Sequence, residues 1–207
     1  MTTPDRFDAK RVAGRGRIIL VRHGESEGNR DRTFTQSTDV PLTERGREQA
    51  RAAAVRLGAR FAPTRVISSP YARARQTAEI IAAILAQRVT CDAAFCEQSF
   101  GVFAGQPYTT LLGDAAFHDG PRWEWRPEGG ESLVDVYARA VPAFEHLVRG
   151  TVDEDVVLVS HGGVMFALWA FVAGSWEAAR IAPNAGIVVV ECADGVCGDP
   201  LVLEDGT

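Results

Sequence analysis

The chain has no basic excess: 22 Lys and Arg face 27 Asp and Glu over 207 residues, a net charge of −5. A nucleic-acid binder carries a positive stripe or patch, so that class is not expected, although a local basic pocket is compatible with any net charge. Cysteine is scarce, and Cys91/Cys96 and Cys192/Cys197 each enclose four residues rather than the two of a zinc knuckle. Four free thiols in a reducing compartment are expected, with a Cys192–Cys197 link across a hairpin as the alternative. None of the four histidines forms a His-x-x-x-His pair, the helical spacing that would mark a metal hydrolase. Neither a metal nor another cofactor is expected.

An apolar h-region is missing from residues 1–16, which argues against a secretory signal. Long apolar runs are missing too. The longest candidate, Val156–Ala173, is interrupted by Ser160-His161-Gly162-Gly163, as a buried strand followed by a buried helix would be and a membrane span would not. There is no internal repeat and no low-complexity tract. A soluble, cytoplasmic protein without membrane contact remains.

What is present is an ordinary globular balance, 46% hydrophobic and 24% charged residues. At this length a single domain with a full core is the default. Residues 1–15 read as a flexible polar leader and 16–207 as the domain. Arg17–Val21 (RIILV) is a β-branched apolar run and the first predicted strand. A polar loop follows to Pro41. Thr43 then offers an N-cap for an alanine-rich helix to about Arg60, with Glu44 and Glu48 near its positive end. Val66–Ile67 marks a second strand, and Pro70 opens a helix to about Gln87. Val89–Asp92 reads as an edge strand.

Residues 96–131, rich in Gly, Pro and aromatics, form a long irregular stretch with one helical turn near Tyr108–Leu112. A loop of that length in a compact domain is usually functional. Ser132 and Asp135 form a capping box for a helix to about Val148, with Pro142 inside it as an expected kink. Val156–Val159 is a buried strand ahead of a helix from Gly163 to Val172. Gly186–Glu191 and Leu201–Leu203 close the chain as a hairpin around Asp194-Gly195. Alternating strands and helices give an α/β fold, a three-layer α/β/α sandwich on a mostly parallel sheet.

Three predicted strands end in chemically unusual residues: Arg22-His23-Gly24-Glu25-Ser26, Ser69-Pro70-Tyr71-Ala72-Arg73 and Ser160-His161-Gly162-Gly163. The carboxyl ends of neighbouring strands in an open α/β sheet face one crevice, where ligands bind. Two histidines and two arginines would then converge, and an anion is the natural guest. Arginine forks bind phosphoryl oxygens bidentately, backbone N–H groups at Gly24 or Gly162 add donors, and a neutral imidazole is a competent nucleophile. Flanking arginines would keep such an imidazole neutral. His118, in a polar loop, and His146, late in a helix, are assigned to structure or solvent.

In order along the chain, RHGES with Asn29, DVPLTERGREQA at 39–50, SSPYARARQTA at 68–78, EQSFGVFAG at 97–105, GGES at 129–132 and SHGG at 160–163 resemble the histidine phosphatase, or phosphoglycerate mutase-like, superfamily from Arg17 to Glu191. The resemblance implies a mixed sheet with one antiparallel member. It also implies roles: His23 as the nucleophile that becomes phosphohistidine, Arg22, Arg73 and His161 as the clamp on the phosphoryl oxygens, and Glu97 as the acid that protonates the leaving oxygen and then activates water. Asn29 and Ser26 are implied to contact phosphate, with Gly162, Thr35 and Gln36 beside the substrate. Arg75, two residues from Arg73, is left to the surface. Asn184 fits a loop that approaches the site, and equally a turn.

Within that resemblance mutases carry a longer segment after the acidic residue, including a basic pair, and a Gly after the threonine. Here only 98–128 intervenes, Arg122 and Arg126 are not adjacent, and Gln36 follows Thr35. A metal-independent phosphomonoesterase with a small phosphorylated substrate is therefore expected. The alternatives are a cofactor-dependent mutase-type phosphotransferase and a non-catalytic phosphoester-binding module. Oligomeric state is left open.

Overall fold

The computed structural model describes residues 15–35, 37–193 and 195–204. Most of the expected leader lies outside them, and Arg15 already belongs to the first strand, β1 (Arg15–Arg22). The polar stretch after it holds a short helix that the sequence reading missed, α1 (Glu27–Asp31). Ser26 and Asn29 explain it: the Ser26 hydroxyl accepts from the Asn29 N–H while the Asn29 side chain accepts from the Ser26 N–H, satisfying two otherwise free donors at the helix start. Helix α2 (Glu44–Arg60) begins, as expected, on the Thr43 side chain, which accepts from Gly46 N.

Strand β2 (Pro63–Ser68) leads to α3 (Ala72–Ile84), which stops three residues short of Gln87. The edge strand β3 (Val89–Cys91) follows. The segment 96–131 contains 3-10 turns at Gly101–Phe103 and Tyr108–Gly113 and a short helix, α4 (Ala115–His118). The Ser132/Asp135 capping box opens α5 (Leu133–Arg149), which carries Pro142 within it. Then come β4 (Asp155–Ser160), α6 (Gly162–Ala173), β5 (Ile187–Ala193), β6 (Val196–Cys197) and β7 (Leu201–Val202).

The sheet order is β3-β2-β4-β1-β5-β6, with β7 also on β5. Strands β3, β2, β4 and β1 are parallel, and β5 is antiparallel to β1 and to both short strands beyond it. Among the described strands only β5 thus runs against the rest, as the family resemblance implied. The expected terminal hairpin is built differently: β5 turns directly into β6, and Leu201–Val202 pairs farther back, at Val188 and Val189. Cys192 and Cys197 face each other across that turn and form a disulfide, with Cα atoms 4.1 Å apart. This corrects the expectation of four free thiols; Cys91 and Cys96 are free.

Side chains alternate across a strand, and here the alternation sorts the core into two layers. Ile18, Leu20, Val156, Leu158, Val188 and Val190 face α5 and α6, meeting Val136, Phe144, Val164 and Leu168. Ile19, Val21, Val157, Val159, Ile187 and Val189 face α2 and α3, meeting Ala53, Leu57, Ala78 and Ile81. Each such aliphatic side chain contributes about 1.5–3 kcal/mol when buried. The central strands are therefore apolar on both faces, which is why RIILV and VVLV read as uninterrupted runs. Among the described residues no helix is long and apolar enough to cross a membrane.

Candidate active site

In the β1–β4 ladder Arg22 pairs with Ser160, so His23 and His161 leave neighbouring strands at the same height. Their rings meet edge to face, centroids 5.1 Å apart. The His23 N–H donates to Ser160 O, which ties the two strand ends together. Gly24 makes the turn possible: a Cβ there would sit 2.3 Å from Gly46 O, so no larger residue lets α2 approach. Its N–H donates to the Thr77 hydroxyl, which in turn donates to Arg73 O. One threonine thus links the His23–Gly24 turn to the first turn of α3.

His23 is 3% exposed, and its Nδ1 lies 2.7 Å from Gly24 O. A carbonyl can only accept, so Nδ1 carries the proton and Nε2 holds the lone pair. The His23 pKa is held well below the ordinary histidine value, first by burial and then by Arg73 and Arg22. The sequence argument credited the arginines; desolvation is the larger cause. His161 is fully buried and shifted in the same direction for the same leading reason. Both rings are therefore neutral at pH 7.

Arg73, 2% exposed, projects from α3 with its guanidinium 5.2 Å from the Tyr71 ring centre. Arg22 donates through Nη1 to Ala182 O, while its buried Nε has no hydrogen-bond partner. Glu97 accepts two backbone donors on one oxygen, Oε1, from Gln98 N and Gly163 N. None of the described residues bonds Oε2. Gly163 is required here, since a Cβ would come within 2.6 Å of Glu97 Oε1.

These groups line a cleft of about 320 Å³. Its polar lining includes Arg22, His23, Arg73, Glu97, Asn29 and Gly162, and its apolar and aromatic lining Phe34, Phe100, Tyr108, Leu111, Phe117 and Trp125, with Arg122 also lining it. Phe34 packs on Phe100 and Tyr108, both at 4.7 Å between ring centres, and Phe117 on Trp125 at 5.1 Å. The loop aromatics therefore pack the segment and line the cleft at once. Thr35 lines the cleft as expected; Gln36 lies outside the described residues.

Ser26 is placed otherwise than the resemblance implied. It is fully buried as the cap of α1 and does not line the cleft. Asn29 lines it and is oriented by Asn184, whose amide donates to Asn29 Oδ1 and to His23 O. His161 is fully buried against the His23 ring and is not among the residues lining the cleft. Arg75 is a surface residue near Glu79. Arg126 pairs outside with Asp135.

Sequence reasoning also missed a support. Arg139 on α5 pairs with both Glu131 oxygens and donates to Ala94 O and Glu97 O. Glu131, within the GGES segment, accepts from Arg139 and from the Ser99 N–H. The eight-residue separation of Glu131 and Arg139, spanning the first turns of α5, was the only available signal. A second, open cleft shares Arg22, Asn29 and Tyr108 with the first and adds Arg30, Arg32 and Arg45 beside Glu25. Among the described residues no cluster of three or more His, Cys, Asp or Glu side chains could hold a metal ion.

A fold that sets paired imidazoles and guanidiniums at the ends of β1, β2 and β4 is that of the histidine phosphatases. Residues 18–198 match the model of the histidine phosphatase superfamily, branch 1, and the chain belongs to that family. It is 33% identical over 205 residues to a glucosyl-3-phosphoglycerate phosphatase of Mycolicibacterium vanbaalenii, covering 91% of this chain and 90% of the relative. It is 32% identical over 212 residues to a phosphoglycerate mutase-like protein of Arabidopsis thaliana, covering 97% and 92%. A mycobacterial glucosyl-3-phosphoglycerate phosphatase solved with VO3 superposes with a TM-score of 0.78 at 30% identity, over 93% of this chain and 100% of that one.

Proposed function

We propose that the chain is a metal-independent phosphomonoester hydrolase working through a phosphohistidine on His23. The observation that carries this reading is the committed tautomer of His23: with Nδ1–H held by Gly24 O, Nε2 is the unprotonated atom beside two guanidiniums. Nε2 attacks phosphorus, the P–O bond to the leaving group breaks, and that oxygen takes a proton from Glu97. A water then gives its proton to Glu97 and attacks the phosphohistidine, releasing phosphate and restoring Nε2. Arg22 and Arg73 supply the positive charge that balances the phosphoryl oxygens in both steps, the task a metal ion performs in other phosphatases. Asn29 and the Gly162 N–H region complete the phosphoryl end.

The remainder of the substrate is read from the two arms of the site. The aromatic wall suits the C–H faces of a sugar, and the arginine-lined cleft suits a carboxylate close to the ester. A phosphorylated glycerate carrying a sugar has both, in keeping with relatives named glucosyl-3-phosphoglycerate phosphatase. The short 98–128 segment favours water over a second substrate as the phosphoryl acceptor.

The test is hydrolysis of an aryl phosphate in excess EDTA, followed by glucosyl-3-phosphoglycerate and a simple sugar phosphate under the same conditions. Chelator-resistant turnover is expected, with kcat/KM at least tenfold higher for the glycerate ester. Faster phosphoryl transfer to 3-phosphoglycerate than to water would overturn the hydrolase reading in favour of a mutase. Orthovanadate binding with no turnover of any ester would make the protein a binding module.

A further inference from the structure

One buried hydroxyl is not used by the chemistry above. Ser69, fully buried at the end of β2, lies with Oγ 2.8 Å from Nε2 of His161, 92 residues away in the chain. A hydroxyl has one proton to give and two lone pairs. The Tyr71 N–H already donates to Ser69 Oγ, at 3.3 Å. The hydroxyl proton then has two acceptors within reach, the imidazole Nε2 at 2.8 Å and the Cys96 sulfur at 4.0 Å. Length decides between them: 2.8 Å is an ordinary strong hydrogen bond, and sulfur is a weak acceptor at the outer limit of contact. With sulfur set aside, the 2.8 Å contact runs either from the hydroxyl to a bare Nε2 or from Nε2–H to the hydroxyl's second lone pair, and the surroundings of the other ring nitrogen decide which.

A neutral imidazole that accepts at Nε2 must carry its own proton on Nδ1. That atom is buried and has no hydrogen-bond partner, in a ring whose charged and titratable neighbours include Arg73, His23, Arg22 and Arg139. An orphaned polar atom in such a place calls for an explanation, and an incoming phosphoryl oxygen provides it for an N–H donor. For the opposite tautomer the same atom would be a lone pair facing an anion, which repels.

We propose, building on the phosphatase reading, that Ser69 is a positioning residue: it fixes His161 as the Nδ1–H tautomer, so that His161 meets the phosphoryl group as a neutral donor. His161 then contributes a hydrogen bond without taking up a proton, and Ser69 acts only through it.

The experiment reads the tautomer directly. In protein carrying 15N-labelled histidine and saturated with inorganic phosphate, long-range proton–nitrogen correlation spectra distinguish a protonated from a bare ring nitrogen. His161 is expected with Nδ1 protonated and Nε2 bare, and Ser69→Ala is expected to populate the Nε2–H form. Turnover of an aryl phosphate by Ser69→Ala should fall about 100-fold in kcat, the usual cost of one transition-state donor, with Ser69→Thr restoring most of it. A purely structural Ser69 would leave the tautomer unchanged, and that result overturns the proposal, as does an Nε2–H signal for His161 in the intact protein. The spectrum of the intact protein needs neither turnover nor a folded variant. A failed phosphatase assay therefore remains distinguishable from a failed tautomer assignment.

Discussion

His23→Ala is expected to hydrolyse an aryl phosphate at least roughly 10⁴-fold more slowly than the intact protein, the scale on which loss of a nucleophile is felt. No other side chain can take over. His161 is the nearest imidazole, yet it is fully buried with Nε2 engaged by Ser69. Arg22 and Arg73 are not nucleophiles, and Glu97 is held through Oε1 by two backbone N–H groups. The loss should appear in kcat under single-turnover conditions, together with disappearance of an acid-labile, alkali-stable phosphoryl-enzyme. His23→Gln, which fills more of the space beside His161, provides the folded control by circular dichroism. Retention of more than a tenth of the activity in either variant would rule out His23 as the nucleophile.

The second large effect concerns stability against pH. Both His23 and His161 have folded-state pKa values depressed well below 6.5, mainly by burial. Below pH 6.5 the unfolded chain binds protons that the folded chain refuses, so stability falls as pH falls. Each histidine removes up to about 1.4 kcal/mol per pH unit once pH is under the unfolded value. Urea unfolding between pH 7.5 and 5.0 should therefore show a flat region above about pH 7 and a decline below it. Glu131 and Asp135 also have lowered pKa values, from the hydrogen bonds of Arg139 and Ser132 against the opposing effect of burial. They begin to matter only as pH approaches the ordinary carboxylate range, so the upper part of the decline belongs to the histidines. His161→Gln should roughly halve its slope. A stability curve level down to pH 5 would mean that the two rings accept protons in the folded state.

The layout was readable where one short segment decides it. Thr43 and Ser132 cap helices wherever the rest of the chain lies, and RIILV and VVLV are apolar on both faces because both faces are covered. The convergence of His23, Arg73 and His161 followed from strand ends alone. What escaped depended on partners distant in sequence or on an unfamiliar variant of a local rule. Ser26, which the resemblance implies contacts phosphate, instead caps α1, and the box is hard to read locally because Asn29 rather than Glu or Gln completes it. Arg139 looks like any exposed helix residue until the 94–97 segment is laid against it. The disulfide depended on a turn register that four intervening residues do not fix. Ser69 gains its meaning from a histidine made 92 residues later.

The sheet order has a consequence for synthesis on the ribosome. Strand β1 precedes the other described strands in the chain, yet among the described residues its ladder partners are β4 and β5, which are made much later. At about 5–20 residues per second the 138 residues from Arg22 to Ser160 take roughly 7–30 s to follow it. The α2–β2–α3–β3 portion, whose two helices bury Ala53, Ala54 and Leu57 together with Ala74, Ala78 and Ile81, can order during that interval. RIILV meanwhile has no sheet to join. The strand that leads to His23 is thus inserted between two strands made much later, and the cleft forms in the same event that completes the core.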